Sequence, residues 1–281
     1  MLKTELLIKR KIKIYDGDLF SPTKTFNCGQ CFRFEENDGF IEGVVSKSVI
    51  RVPTEDTLGE IIYYSDKDFD FFFDPSHSYF EMSDYFLSGF DNREREALEE
   101  AIQRGFGIRI LKQDFKEALI SFIISQNNNI PRIKKNIAEI SRKFGESFQF
   151  EGNTYYSFPT PEALLYAGEK GLNECKLGFR TKYILDASEK LKDGEVDEDQ
   201  IKSLPLTEAR ELLKTIKGVG DKVAACTLLY GLGRLECVPV DVWVKRIFEK
   251  YFSAFPDLKE YGGVAQQYLF YNERYIKEGK K

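Results

Sequence analysis

Residues 212–226, LLKTIKGVGDKVAAC, constrain this chain more than any other stretch: a helical pattern stops at Gly218 and Gly220 and resumes within four residues. Two helices joined by so short a link form a tight pair. Thr207 is placed to cap the first of them, with Glu208 and Glu211 in its first turn, so the pair spans 207–231. Glycines accept positive φ and lack a β-carbon, which such a turn needs for steric reasons alone. The same bareness lets a phosphate approach the N–H groups at the start of the second helix, where the dipole favours an anion. A packing turn and a phosphate clamp both remain open here.

The surrounding pattern divides in two. In the first part LLIKRKIKIY alternates apolar and basic residues, NCGQCFRF (27–34) and GFIEGVVSKSVIRV (39–52) are short β-rich runs, and END-G supplies a turn between them. From Gln113 onward the period becomes helical, and FKEALISFIISQ is apolar nearly all round, as a buried helix is. The fold class is therefore α+β. An N-terminal antiparallel β-sheet domain with a few helices occupies 1–108, followed by an all-α region over 109–281. No repeat or low-complexity linker separates them, so the halves are expected to pack together.

Composition narrows the chemistry. One histidine, His77, among 281 residues leaves no His-based metal cluster and, unless His77 itself serves, no Ser-His-Asp or Cys-His pair. Five cysteines (Cys28, Cys31, Cys175, Cys226, Cys237) suggest a reduced protein, and the Cys28/Cys31 pair lacks the partners of a zinc or iron–sulfur site. Those two read as structural thiols. The basic residues scattered through the first 18 positions do not resemble a secretory signal, and no apolar run approaches the roughly 18 residues of a membrane helix. A soluble monomer in the cytosol is expected, associated with the nucleoid if the host is bacterial.

Net charge is −5, yet residues 51–100 hold 14 acidic against 4 basic side chains, leaving the remainder at +5. Between Arg109 and Gly145 stand 8 basic residues against 3 acidic ones. A local basic face can bind phosphate on an acidic molecule, although solvated helix exteriors give the same count.

Lys222 follows the glycine turn by two residues, in the first turn of a helix that is otherwise apolar. A lysine at the positive end of a helix and partly desolvated has its ammonium form disfavoured, which favours a nucleophilic amine; an exposed surface lysine is the plain alternative. Nineteen residues on, VPVDVWVKRIF puts Asp241 just before an amphipathic helix, where it has a structural use as N-cap.

Together, G-V-G-x-K-V-A-x-C and V-P-V-D resemble the helix-hairpin-helix glycosylases of base-excision repair. SQNNNIPRI (125–133), NCGQCFRF and GGVAQQYLF (262–270) are similar, in order, to further motifs of the eukaryotic-type 8-oxoguanine glycosylase family. The likeness runs from residue 27 to 270. It implies a bifunctional DNA glycosylase and lyase acting on double-stranded DNA that contains 8-oxoguanine, with Lys222 as nucleophile, Asp241 as its partner, and the hairpin glycines Gly218 and Gly220 at phosphate.

The resemblance implies further roles. Asn127 fills the gap left by the extruded base, Arg132 and Arg180 read the opposite cytosine, and Phe179 wedges beside it. Lys222 and Cys226 share one helix face and Gln266 and Phe270 another, so the two faces could sandwich a planar base between sulfur and ring. Gln266 is implied to bond the base's Watson–Crick edge, and the carbonyl of Gly29 to accept the N7–H that marks the lesion. No metal or cofactor is required, although the carbonyls of Lys214, Ile216 and Val219 are implied to hold a structural monovalent cation.

The chain departs from the pattern at Phe179, where a tyrosine is usual, and at Trp243, where a histidine is usual; looser selectivity for cytosine is the expected consequence. Two other readings stand beside this one. An alkylpurine-type helix-hairpin-helix glycosylase would rely on the aspartate alone, and a catalytically silent DNA-binding module would use the hairpin only as a clamp.

Overall fold

The computed structural model describes residues 7–90, 92–254 and 256–278. Its strands are β1 (Ile8–Lys13), β2 (Leu19–Phe20), β3 (Phe34–Asn37), β4 (Phe40–Val45), β5 (Ser48–Pro53), β6 (Thr57–Leu58), β7 (Glu60–Ser65), β8 (Ser147–Phe150) and β9 (Asn153–Tyr156). Its helices are α1 (Pro22–Asn27), α2 (Tyr79–Ser88), α3 (Asn92–Gly105), α4 (Phe115–Ser125), α5 (Ile130–Phe144), α6 (Pro161–Glu174), α7 (Arg180–Asp193), α8 (Glu198–Ser203), α9 (Leu206–Lys214), α10 (Asp221–Leu232), α11 (Val242–Tyr251) and α12 (Gly262–Glu278).

The main sheet has the order β1-β7-β5-β4-β3 and is antiparallel throughout. Asp38 and Gly39, at φ of 47° and 79°, close the β3–β4 hairpin in the two-residue form that Asp-Gly favours. One sheet face, with Ile41, Ile50, Val52 and Ile61, buries against Phe26, Phe72 and Phe73. A second, larger core is built on α4 and α10. Eight residues of α4 are buried, and every residue of α10 from Val223 to Leu232 is buried, as their lack of a polar face requires. Tyr79 and Phe86 of α2 and Leu98 of α3 join this helical core rather than the sheet.

NCGQCFRF is not a strand before Phe34. Asn27 ends helix α1, Gly29 turns the chain at φ 89°, and side-chain bonds replace a ladder. Buried Gln30 donates from Nε2 to the carbonyls of Thr25 (2.9 Å) and Arg109 (2.8 Å) and accepts from the N–H of Leu111 at 2.8 Å. Gln113 returns a bond to the Gln30 carbonyl at 2.8 Å, tying the loop to the start of the helical core. At the hairpin, α9 begins at Leu206 behind Pro205, whose φ of −54° already suits a helix start; Thr207 lies inside the helix and caps nothing.

Arg109, counted above with the basic face, is fully buried. Its guanidinium donates to Asp18 Oδ2 at 2.9 Å and to the carbonyls of Phe73, Asp74 and His77, and it lies 4.2 Å from the centroid of the Tyr79 ring. Asp18, also fully buried, accepts from the N–H groups of Tyr79 and Phe80. A buried pair of this kind is tolerated because its polar atoms are bonded. No helix among the described residues is long and apolar enough to cross a membrane.

Candidate active site

A cavity of about 550 Å³ opens at the edge of the helical core, within the roughly 300–1,000 Å³ range of small-ligand sites. Gly29 reaches it from the loop after α1, Phe122 and Ser125 from the end of α4, Lys222 from the first turn of α10, Asp241 from the start of α11, and Phe270 from α12. The sequence separates these residues by up to 241 positions, and the fold brings them to one wall.

Lys222 donates from Nζ to Ser125 Oγ at 3.2 Å and stands 5.0 Å from the centroid of the Phe122 ring. Four residues on, Cys226 is buried beside it; burial pushes this thiol up, and the Lys222 charge opposes that shift. Asp241 caps α11 and lines the cavity at once. Its Oδ1 accepts from the N–H groups of Trp243 and Val244, each at 2.9 Å, while no hydrogen bond from the described residues reaches Oδ2. The cap fixes the carboxylate at the cavity edge.

Gln266, expected in the base pocket, does not line the cavity, although Phe270 one turn further along α12 does; it is 4% exposed, and its Oε1 is buried without a hydrogen-bond partner among the described residues. Such an acceptor costs about 1–3 kcal/mol until a donor arrives. Its neighbour Gln267, which the sequence reading passed over, faces the other way. It accepts from Tyr230 Oη at 2.6 Å and donates to the Cys28 carbonyl at 3.2 Å, so the loop carrying Gly29 is tied to both α10 and α12. Phe122, Ser125 and Arg274 were also missed as cavity residues. All five cysteines are free thiols and buried.

The asparagine run divides its labour. Asn127 sits exposed at the tip with φ 47°, Asn128 donates to the Ile124 carbonyl at 3.0 Å, and Asn129 caps α5 by accepting the Arg132 N–H at 3.0 Å. Arg180 holds this tip from below. It is only 3% exposed and donates to the carbonyls of Gln126, Asn127 and Leu177. Burial pulls the Arg180 guanidinium down, and the nearby charge of exposed Arg132 adds to that. Phe179 is half exposed with its ring 4.6 Å from that guanidinium, so Asn127, Arg132, Phe179 and Arg180 form one cluster beside the cavity.

At the hairpin only one glycine needs its conformation. Gly218 has φ 78°, and a β-carbon there would stand 2.4 Å from the Tyr183 ring; Gly220, extended at φ −104°, has open space around it and starts α10. Gly218→Ala should therefore lower stability by about 1–3 kcal/mol and weaken duplex binding, with Gly220→Ala much milder in a melting and binding comparison. Equal effects of the two would contradict this.

A sheet half packed on a helical half, with a helix-hairpin-helix placing a lysine, and the next helix a capping aspartate, on one cavity, defines the helix-hairpin-helix glycosylase class. The chain belongs to the HhH-GPD superfamily of base excision DNA repair proteins, whose family model matches residues 120–267. Residues 11–119 match the N-terminal domain of 8-oxoguanine DNA glycosylase. A probable N-glycosylase/DNA lyase of Methanothermobacter thermautotrophicus is 33% identical over 226 residues, 69% of this chain and 71% of that one. The chain spans under half the length of two further curated relatives. Among solved structures, MBOgg1 in complex with a low-affinity DNA ligand is 36% identical, with a TM-score of 0.85 over 96% of both chains. The Clostridium acetobutylicum 8-oxoguanine glycosylase/lyase, in complex with double-stranded DNA bearing cytosine opposite 8-oxoG, is 32% identical. Its TM-score is 0.81, over 99% of this chain and 100% of that one.

Proposed function

We propose that this chain is a DNA glycosylase with lyase activity that extrudes 8-oxoguanine from duplex DNA, excises it through a lysine Schiff base and then cuts the strand. The observation that carries this reading is the shared cavity of Lys222 and Asp241, with Gly29 and Phe270 on its walls.

Extrusion costs a few kcal/mol of stacking and pairing. Asn127 fills the gap from its preformed tip, Phe179 replaces lost stacking, and exposed Arg132 donates to the cytosine left behind. Arg180, expected beside it as a second reader, is buried with its guanidinium bonded to the carbonyls of Gln126, Asn127 and Leu177 and so braces the tip instead. Inside the cavity the base lies between Cys226 and Phe270, and a donor on its edge satisfies the orphaned Gln266 Oε1. The Gly29 carbonyl accepts N7–H of the lesion and would face a lone pair in guanine. That contact is worth about 1–3 kcal/mol, roughly a hundredfold at most, so other steps add to the discrimination.

The free amine of Lys222 bonds to C1′ as the C1′–N9 bond breaks and its electron pair leaves with the base, which takes up a proton. Asp241 stabilises the oxocarbenium-like charge and accepts the proton lost by the new amine bond. The C1′–O4′ bond then breaks as the nitrogen lone pair forms the C=N bond, with O4′ taking up a proton as the sugar ring opens; the resulting imine acidifies the 2′ proton, whose removal expels the 3′ phosphate by β-elimination. No step here calls for a metal. The carbonyls of Lys214, Ile216 and Val219 are hard oxygen donors suited to a structural monovalent cation; that of Ile216 accepts the Val219 N–H at 3.0 Å and keeps a second lone pair. The enzyme is read as a monomer working where the DNA is, in the cytosol at the nucleoid if the host is bacterial.

The test is a duplex with one 8-oxoguanine, incubated with the protein and borohydride. A covalent adduct is expected. Base release without an adduct would favour an aspartate-only alkylpurine glycosylase, and binding without release a silent clamp. Because Phe179 has no hydroxyl to offer beside the opposite base, excision opposite cytosine and opposite adenine should proceed at similar rates under single-turnover conditions. Strict dependence on cytosine would overturn that expectation.

A further inference from the structure

Gly29 has no side chain to fix it, and at φ 89° it turns between two anchored neighbours. The carbonyl before it, that of Cys28, accepts from Gln267 Nε2 at 3.2 Å, and the one after it, that of Gln30, accepts from Gln113 Nε2 at 2.8 Å. Gln113 is itself fixed through the backbone, its N–H donating to the Tyr230 carbonyl at 2.7 Å. Gln267 depends on a side chain: Tyr230 Oη donates to its Oε1 at 2.6 Å. The Cys28 carbonyl can only accept, so Nε2 must face it and Oε1 is left for the tyrosine proton; the amide has one orientation in which both bonds form. Tyr230, Gln267 and Gln30 are all buried, so these bonds are made away from bulk water. The Tyr230 ring lies on that of Phe122, with centroids 5.2 Å apart and planes 22° from parallel, and Phe122 in turn stands 5.0 Å from the Lys222 amine. One buried tyrosine therefore touches the support of the Gly29 loop and the support of the nucleophile.

We propose that Gln267 and Tyr230 are positioning residues for lesion recognition, holding the Gly29 carbonyl at the distance and angle at which it meets N7–H of a base whose C1′ faces Lys222. This rests on the glycosylase reading above and adds to it two residues that act through another. Neither lines the cavity, so neither touches the base. A carbonyl accepts well over a narrow range of distance and angle, and misplacement by about 1 Å costs a reaction as much as a hundredfold even when its cause lies away from the chemistry.

Two reactions of the one cavity separate this role from general stability. Release of 8-oxoguanine needs the Gly29 contact, whereas cutting of a duplex with a preformed abasic site needs Lys222 and no base. Gln267→Met keeps the side-chain length and removes both bonds; under single-turnover conditions it should slow base release by about tenfold to a hundredfold and abasic-site cutting by less than about threefold. Tyr230→Phe, which keeps the ring beside Phe122, should slow base release by about threefold to tenfold; in the Gln267→Met background it should add less than about twofold, because the two act through one chain of bonds. In Lys222→Gln, which stops turnover, adding Gln267→Met should cut the binding preference for an 8-oxoguanine duplex over an undamaged one by at least about fivefold. Thermal melting shows whether Gln267→Met is folded; if it is not, Tyr230→Phe decides alone. Equal slowing of the two reactions, or base release within about twofold of the parent in a folded variant, would overturn the assignment. If the parent protein still forms its borohydride adduct in that case, the glycosylase reading stands without it. Absence of adduct and of base release in the parent removes both.

Discussion

Lys222→Gln is expected to abolish the borohydride adduct and to slow base release by at least about a thousandfold, while the variant still binds the lesion duplex. Glutamine is one atom shorter than lysine and uncharged, so it removes the nucleophile that donates to Ser125 Oγ while leaving most of the packed side chain in place. Loss of a covalent nucleophile is among the largest single-residue effects in catalysis because the other groups act through it. Cys226→Ser, which leaves the amine in place, should keep the adduct. Persistence of the adduct in Lys222→Gln would mean that another amine reaches C1′, and the chemistry assigned to this cavity would have to move.

The second large effect is on folding. Arg109→Met should lower unfolding stability by about 3–5 kcal/mol, measured by urea denaturation, because it leaves Asp18 charged and buried without its guanidinium. The carbonyls of Phe73, Asp74 and His77 lose their donor at the same time. In Asp18→Asn/Arg109→Met the loss should be smaller than the sum of the two single changes, since the pair is removed together. A change under about 1 kcal/mol in the single arginine variant would show that the network adds little to stability.

Local physics made some of this legible in the sequence. Asp38-Gly39 names its own hairpin, the all-round apolarity of α4 and α10 announces burial, and Gly218 marks the turn after which Lys222 and then Asp241 come to one cavity. Other features depend on distant partners that no window contains. Arginines are usually exposed, so Arg109 reads as surface until Asp18, 91 positions away, is seen beside it. Gln30 draws its bonds from the chain near 109–111, which is why a β-rich run became a loop. Phe122 and Ser125 were hidden by the quality that made α4 readable: a helix apolar on all sides does not show which of its residues ends at an opening. Gln266 and Gln267 are adjacent and identical in type, and only the different partners that each meets from α12 separate an orphaned acceptor from a brace.

The double engagement of Asp241 has a consequence for how this site could change. Glutamate would carry the same charge on a longer arm, yet a side chain one methylene longer no longer closes the short ring to the N–H groups two and three residues ahead. Asparagine would preserve the ring and forfeit the charge. On the proposed chemistry position 241 thus meets two demands at once, the charge and the helix start; a descendant that had given up the reaction could take asparagine there and still begin its eleventh helix in the same place.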